Sequence, residues 1–366
     1  MKPFKILICV GTRPNVIKIT MFKKLFETYR NVECKILHTG QHFDAGMSTI
    51  FFDQLGIGEP DFIFENKKGS PIAVMAEIIK ESDALFRDYQ PDLVLVPGDV
   101  NSSLACAISA SKNNIMLGHI ESGLRSFDRQ MPEELNRILI DDLSDFLFVT
   151  EPSGKSNLLN EQKQENKIFY VGNTMIDSIV HLNDFIKNYE INPIYSISAG
   201  EYGIATFHRP SNVDNKENLQ QIVEVLNELS KMNKVLFPVH PRTQQNLEKF
   251  GISLNNENII LLPPLDYINF LGLMGKSKWV ITDSGGIQEE TTFLGIPCIT
   301  VRENTERPVT ITEGTNTLSK TDIIEIKELI KSINEEKYKK GTIPLLWDGN
   351  ATSRIVEVLI KELNLS

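Results

Sequence analysis

Cysteine is scarce in this chain, no C-x-x-C pair occurs, and no apolar run nears the length of a membrane span. The four cysteines, Cys9, Cys34, Cys106 and Cys298, lie far apart in mostly apolar segments. That pattern argues for buried free thiols and against a disulfide framework or a zinc site. A bilayer span takes ~20 consecutive apolar residues. Met1-Lys2-Pro3-Phe4-Lys5 leads straight into a strand-like segment with no cleavage site, so a reduced, cytoplasmic protein is expected. A cationic excess is missing too: 38 Lys and Arg face 48 Asp and Glu, a formal charge of −10. Without a basic footprint no nucleic-acid partner is expected, whereas a small anion stays compatible through a few convergent cations. Neither G-x-G-x-x-G nor G-x-x-x-x-G-K-[ST] occurs, so no dinucleotide fingerprint or Walker loop is expected. Short-period repeats are absent as well, which excludes a solenoid.

What is present is an ordinary globular composition, 41% hydrophobic and 23% charged over 366 residues. At ~100–200 residues per domain, that length implies two. Short apolar runs alternate with amphipathic stretches, the pattern of parallel α/β units. Strands are expected at Ile6–Val10, Val32–His38, Asp92–Val96, Ile115–Ile120, Phe146–Thr150 and Ile168–Val171, with helices at Asn15–Tyr29, Ile72–Tyr89, Asn101–Lys112 and Pro132–Leu143. The pattern restarts with strands at Tyr202–Phe207, Val235–Val239, Ile259–Leu262, Trp279–Thr282 and Pro297–Val301, and helices at Leu219–Met232 and Ile287–Leu294. Residues 176–198 look like a linker. Ile355, Val356, Leu359, Ile360 and Leu363 share one face of a last helix, Ser353–Leu363, which must pack somewhere. The expected architecture is α/β, with two doubly wound Rossmann-like domains whose ligand edges face a central cleft. The first comprises 1–172 plus a final helix at about 352–366, and the second 173–351.

Polar and glycine-rich clusters recur just after the carboxyl ends of the strands, where open α/β sheets bind ligands. Gly11-Thr12-Arg13-Pro14-Asn15-Val16-Ile17-Lys18 follows the first strand, and its free N–H groups with Arg13 and Lys18 favour an anion. Asp283-Ser284-Gly285-Gly286 opens a helix and makes a phosphate cradle. Glu290, further along that helix, suits a ribose diol. The flanks of Ser284 are not G-x-S-x-G, which argues against a nucleophile. Asp99, Glu121 and Glu133 follow a strand or open a helix, and converging carboxylates move protons. Glu133 and Arg137 also read as an i,i+4 ion pair. His208-Arg209 and His240-Pro241-Arg242 end successive strands, placing two His/Arg pairs at one sheet edge for anion or acid–base work. His38 and His42 are four apart, but Gly40 and a strand end preclude the helical metal spacing, so no metal site is expected.

Together these segments resemble the non-hydrolysing UDP-N-acetylglucosamine 2-epimerase family. The resemblance rests on G-T-R-P-x-x-I-K at 11–18, T-G-Q-H at 39–42, G-D at 98–99, G-H-I-E-S-G-L-R at 118–125 and P-E-E-L-N-R at 132–137. It continues with G-N-T-M-I-D at 172–177, H-R at 208–209, P-V-H-P at 238–241, T-D-S-G-G-I-Q-E-E at 282–290 and T-E-R-P at 305–308. It implies a fold like the type-B nucleotide-sugar glycosyltransferases, with the final helix returning to the first domain, and a homodimer. It also implies inversion at C2 of the sugar through elimination and re-addition of UDP, without nicotinamide, metal or other cofactor, in the supply of surface polysaccharide precursors. By motif match, Asp99, Glu121 and Glu133 are the proton-transfer carboxylates, supported by Arg137 and His208. Arg13, Lys18, His240, Arg242, Ser284, Gly285, Gly286 and Glu290 would bind the UDP-sugar.

The chain departs from the family pattern in places. Asn15 stands for a glutamate, Val100-Asn101-Ser102 for a threonine run, and Pro210-Ser211-Asn212 follows His208-Arg209. Asp44 stands where a regulatory Gln would be, and Lys67-Lys68-Gly69 offers no regulatory Arg. Substrate activation and the sugar itself stay open, a 6-deoxy or uronic 2-acetamido sugar being alternatives. A hydrolysing epimerase, a glycosyltransferase of the same architecture and a non-catalytic nucleotide-sugar sensor complete the set of readings.

Overall fold

A computed structural model describes residues 2–41, 52–65 and 68–365. His42, Asp44 and Lys67, singled out above, lie outside the described residues. The chain divides into two compact units, Met1–His181 with Leu345–Ser366, and Leu182–Pro344.

Each unit is built on a parallel sheet. Unit 1 holds β1 (Phe4–Val10), β2 (Val32–His38), β3 (Phe62–Ile63), β4 (Leu93–Pro97), β5 (Met116–Ser122), β6 (Phe146–Val149) and β7 (Ile168–Tyr170), in the order β3-β2-β1-β4-β5-β6-β7. Unit 2 holds β8 (Tyr202–Thr206), β9 (Lys234–Pro238), β10 (Ile259–Leu262), β11 (Trp279–Thr282), β12 (Cys298–Val301) and β13 (Asn316–Ser319), ordered β10-β9-β8-β11-β12-β13. The central strands Leu93–Pro97 and Trp279–Thr282 are buried along their whole length, as strands covered on both faces must be. Leu7, Val94, Val96 and Leu117 pack against helices Pro71–Tyr89 and Asn101–Lys112 in unit 1. Phe207, Leu226, Phe237 and Trp279 anchor the core of unit 2.

Three expectations are revised. The first helix is two short ones, Arg13–Ile17 and Phe22–Phe26. Between them Thr20 turns its hydroxyl onto the Ile17 carbonyl at 2.8 Å, an alternative to the helical ladder that threonine favours. The stretch taken for a linker carries helices Thr174–His181 and Asn183–Asn188. The first of these belongs to unit 1 because Met175, Ile176 and Ile179 are buried there and Ser178 bonds the Ile17 carbonyl. The return to unit 1 begins at Leu345, ahead of helix Ala351–Glu362, with the Trp347 indole donating to the Thr150 carbonyl at 3.0 Å. Asp177 then caps that helix, accepting from Ala351 N at 3.0 Å and Thr352 N at 2.6 Å. The last helix therefore packs on unit 1, as its apolar face required.

Candidate active site

In each sheet the chain runs out to one edge and then returns to the middle, so β4 lies beside β1 and β11 beside β8. Connections leaving two such neighbours diverge, which opens a crevice beyond their carboxyl ends. In unit 1 the crevice lies between the turns after Val10 and Pro97. In unit 2 it lies between those after Thr206 and Thr282.

The unit 1 turns bring charged groups together around Gly98. This residue takes φ +63, and a side chain there would stand 3.0 Å from Lys18 Nζ, 3.3 Å from Glu121 Oε2 and 3.4 Å from Asn15 Nδ2. Lys18 and Glu121 are both buried and form an ion pair. Glu121 is held at φ +74, where the register with β6 shifts between Ile120 and Ser122. A β-bulge re-aims a side chain in this way, and a non-glycine residue keeps a left-handed conformation only where its surroundings enforce it.

Next to Gly98, the half-buried Asp99 accepts from Arg137 Nη2 at 2.5 Å and Nε at 3.2 Å. Arg137 also donates to Glu134 Oε2 at 2.6 Å. Asn136 Nδ2 holds the Asp99 carbonyl at 2.8 Å. Glu133 is half-buried in the first turn of helix Pro132–Leu143. Its neighbour Glu134 is the carboxylate turned inward, accepting from Ser126 N at 2.9 Å and Phe127 N at 2.8 Å. Lys18 follows the short first helix and lies against Glu121, while Arg13 sits exposed at that helix's start.

Unit 2 is organised by Asp283. Its buried carboxylate accepts from His208 N at 3.0 Å, Arg209 N at 2.9 Å and Asn212 Nδ2 at 3.1 Å, with His208 Nδ1 at 2.9 Å. Burial pushes the carboxyl up, but His208 and these N–H groups outweigh it and hold it below the usual range. Arg209 Nε reaches the Asp283 carbonyl at 3.0 Å. The His208 and His240 rings stand 5.6 Å apart, and burial together with the His208 charge lowers the affinity of His240 for a proton.

Ser284 opens helix Gly285–Leu294 without capping it through its side chain, so the first-turn N–H groups keep their affinity for an anion. A side chain at Gly285 would have to displace its neighbours, since a Cβ would fall 2.7 Å from Arg307 Nη1 and 2.9 Å from Glu306 Oε1, members of a buried ion-pair group. Gly286 follows, half-buried, in the same turn. Glu290 is buried, and its carboxyl is pushed up to about 8 by burial and by Glu289, against a hydrogen bond from the Tyr267 hydroxyl. A depression of 440 Å³ lies beyond β9 and β10, lined by Val239, Pro241, Leu262, Pro263 and Pro264. Arg242 is exposed and tied to Asp214 at 2.7 Å.

Residues 24–360 match the family described as UDP-N-acetylglucosamine 2-epimerase. The chain belongs to that family. A UDP-N-acetylglucosamine 2-epimerase homolog of Methanococcus maripaludis is 41% identical over 364 residues, covering 97% of this chain and 99% of that protein. A UDP-2,3-diacetamido-2,3-dideoxy-D-glucuronate 2-epimerase of Pseudomonas aeruginosa is 39% identical, covering 98% and 99%. The crystal structure of the Methanocaldococcus jannaschii UDP-GlcNAc 2-epimerase in complex with UDP-GlcNAc and UDP matches with a TM-score of 0.87 and 37% identity, over 98% of this chain and 99% of that one.

These 2-epimerases are isomerases, and this chain is an enzyme of their class with their two-unit, type-B glycosyltransferase-like fold. Among the described residues no helix is long and apolar enough to cross a membrane. No group of three or more His, Cys, Asp or Glu that would hold a metal ion occurs among them either. Reasoning from sequence passed over Glu134, His119, Asp141 and Tyr267. Glu134 and His119 lie inside motifs whose other members drew attention, Asp141 lies one turn past P-E-E-L-N-R in the same helix, and the hydroxyl of Tyr267 meets Glu290 only through the fold.

Proposed function

We propose that this 2-epimerase inverts C2 of a UDP-2-acetamido sugar, converting UDP-GlcNAc to UDP-ManNAc. The observation that carries the reading is the convergence of Glu121–Lys18 and Asp99–Arg137 on Gly98 at the switch point of unit 1. Inversion at an unactivated C2 needs a base on one face, an acid on the other and a departing group at C1. A carboxylate takes the C2 proton while the C1–O bond to UDP breaks, and the electron pair leaves with the diphosphate. The resulting 2-acetamidoglucal then regains UDP at C1 and a proton on the opposite face of C2. Asp99, Glu121 and Glu133 supply the carboxylates, and Arg137 and Lys18 keep them oriented and charge-balanced. In unit 2, the start of helix Gly285–Leu294 with Arg209 and His208 suits a diphosphate. Glu290 suits the ribose diol, and the depression beyond β9 and β10 suits a planar base.

Incubation with UDP-GlcNAc in deuterated water, followed by NMR, tests this reading. Deuterium at C2, UDP-ManNAc in the mixture and no net loss of UDP-sugar are expected without added cofactor. Unlabelled sugar and no C2 epimer across several UDP-2-acetamido sugars would sink it. One second reading has support, because the P. aeruginosa relative is about as similar as the others. Faster C2 exchange on UDP-2,3-diacetamido-2,3-dideoxy-glucuronate than on UDP-GlcNAc would reassign the substrate to a uronic sugar.

A further inference from the structure

Beneath the two carboxylates lies a buried pair that the proposed chemistry does not use. His119, in β5, is fully buried, with Nδ1 2.6 Å from Asp141 Oδ1 and Nε2 3.0 Å from the carbonyl oxygen of Gly98. The other oxygen of Asp141 accepts from Gly123 N at 3.1 Å and pairs with Arg125 at 2.7 Å. Arg125 is backed in turn by Glu161, with Nε 2.8 Å from Oε1. Burial alone would raise the Asp141 carboxyl, yet His119 and Arg125 outweigh it and hold it low. The ring of His119 thus faces a carboxylate on one side and a carbonyl on the other, and both are acceptors. The two backbone groups secured, the Gly98 carbonyl by His119 and the Gly123 N–H by Asp141, are not arbitrary. Gly98 immediately precedes Asp99, Gly123 follows Glu121 by two residues, and all three turn positions, Gly98, Glu121 and Gly123, are left-handed at φ +63, +74 and +79.

We infer that His119 and Asp141 are positioning residues for the epimerisation. Donating from both ring nitrogens, His119 joins Asp141 in a clamp that fixes the turns carrying Asp99 and Glu121. This rests on the proposal that those two carboxylates act at C2. A residue that sets such geometry governs the chemical step, because a displacement of about 1 Å at a reacting group costs about 100-fold. Uniform loss of fold or of binding would instead show in the melting temperature or in KM.

Two measurements test the clamp. The first is 15N NMR of the full chain without substrate, with His119 assigned by comparison with His119→Asn. Hydrogen bonds donated by both ring nitrogens, to Asp141 and to the Gly98 carbonyl, are expected, and one bare nitrogen overturns the inference. The second compares kcat and KM for C2 exchange in Asp141→Ala and Asp141→Asn. The alanine variant should lose about 100-fold in kcat with KM unchanged. The asparagine amide can accept from Gly123 and Arg125 while donating to a neutral ring, so it should recover most of kcat. Leu158→Ala, a core substitution in unit 1, should lower the melting temperature and keep kcat. If Asp141→Ala does not fold, Asp141→Ser takes its place. A loss appearing in KM, an asparagine variant no better than alanine, or an equal kcat loss in Leu158→Ala overturns the inference. Absence of C2 exchange in the wild type on every UDP-2-acetamido sugar would defeat the proposed function instead, and the ring spectrum would then decide the clamp by itself.

Discussion

Glu290 gives unit 2 its sharpest test, because its resting state and its proposed task conflict. With the carboxyl pushed up to about 8, the ligand-free chain holds a neutral acid there at pH 7. A ribose diol donates hydrogen bonds, and it does so best to an ionised carboxylate. Nucleotide binding must then expel the proton, at a cost of about 1.4 kcal/mol, or about tenfold in affinity, for each pH unit below the unbound value. Affinity for UDP-GlcNAc should therefore rise with pH between about 6 and 8, approaching that slope, and level off above about 8. At pH 7 close to one proton should be released per nucleotide bound. Calorimetry in two buffers of different ionisation enthalpy reads both quantities. Using Glu121→Gln as background keeps turnover from mixing the sugars. His208 and His240 bias the dependence the opposite way, since a protonated ring favours an anion. Glu290→Gln in the same background retains those rings and isolates the effect. Equal pH slopes with and without Glu290, or no proton release, would refute the placement of the ribose on this residue.

Other outcomes follow from the same structure. Glu121→Gln should lower C2 exchange by at least about 100-fold, and it should also lower the melting temperature, because Lys18 loses the charge that balances it in a buried site. Gly285→Ala should weaken nucleotide binding at least about tenfold by calorimetry, since the methyl group displaces the Glu306–Arg307 pair beneath the helix start. Trp347→Ala should destabilise unit 1 by about 3–5 kcal/mol in denaturant unfolding. The remaining indole, Trp279 in the core of unit 2, should report an unshifted fluorescence transition, and a shift of equal size would contradict the division into units. The ligand-free chain should lose stability as pH rises from about 4.5 to about 8, because the folded state holds the Glu290 proton more tightly than the unfolded one. Glu290→Gln should flatten that fall, as read by melting temperature against pH.

The parallel sheets were legible because a strand covered on both faces must be a continuous apolar run, and Leu93–Pro97 or Trp279–Thr282 can hardly be anything else. The ligand edge was legible for a related reason: glycines and charges gather where such runs stop. Less accessible was anything decided by direction. Glu133 and Glu134 are identical in type and adjacent, and only the phase of their helix turns Glu134 inward toward Ser126, Phe127 and Arg137. Arg242 looked like a ligand cation from its place after a strand, yet its side chain meets Asp214 at the surface. Residues 176–198 read as a linker because they lie between the two runs of alternating strands and helices. Their helices take support from distant partners, such as the Ile17 carbonyl on Ser178. The G-N-T-M-I-D segment carried the family resemblance, but its Asp177 acts on backbone far along the chain, at Ala351 and Thr352.

That late contact has a consequence for biosynthesis. Because residues 345–366 complete unit 1, the unit made first is finished last. In a chain emerging from a ribosome at ~5–20 residues per second, the residues of unit 2 leave ahead of Trp347 and the Asp177-capped helix. For that interval the Thr150 carbonyl and the Asp177 carboxylate await their partners, and the apolar surface later covered by Ile355, Val356 and Leu359 stays open. A chain that stops short of helix Ala351–Glu362 therefore has every residue of unit 2 but leaves unit 1 without the helix that Asp177 caps.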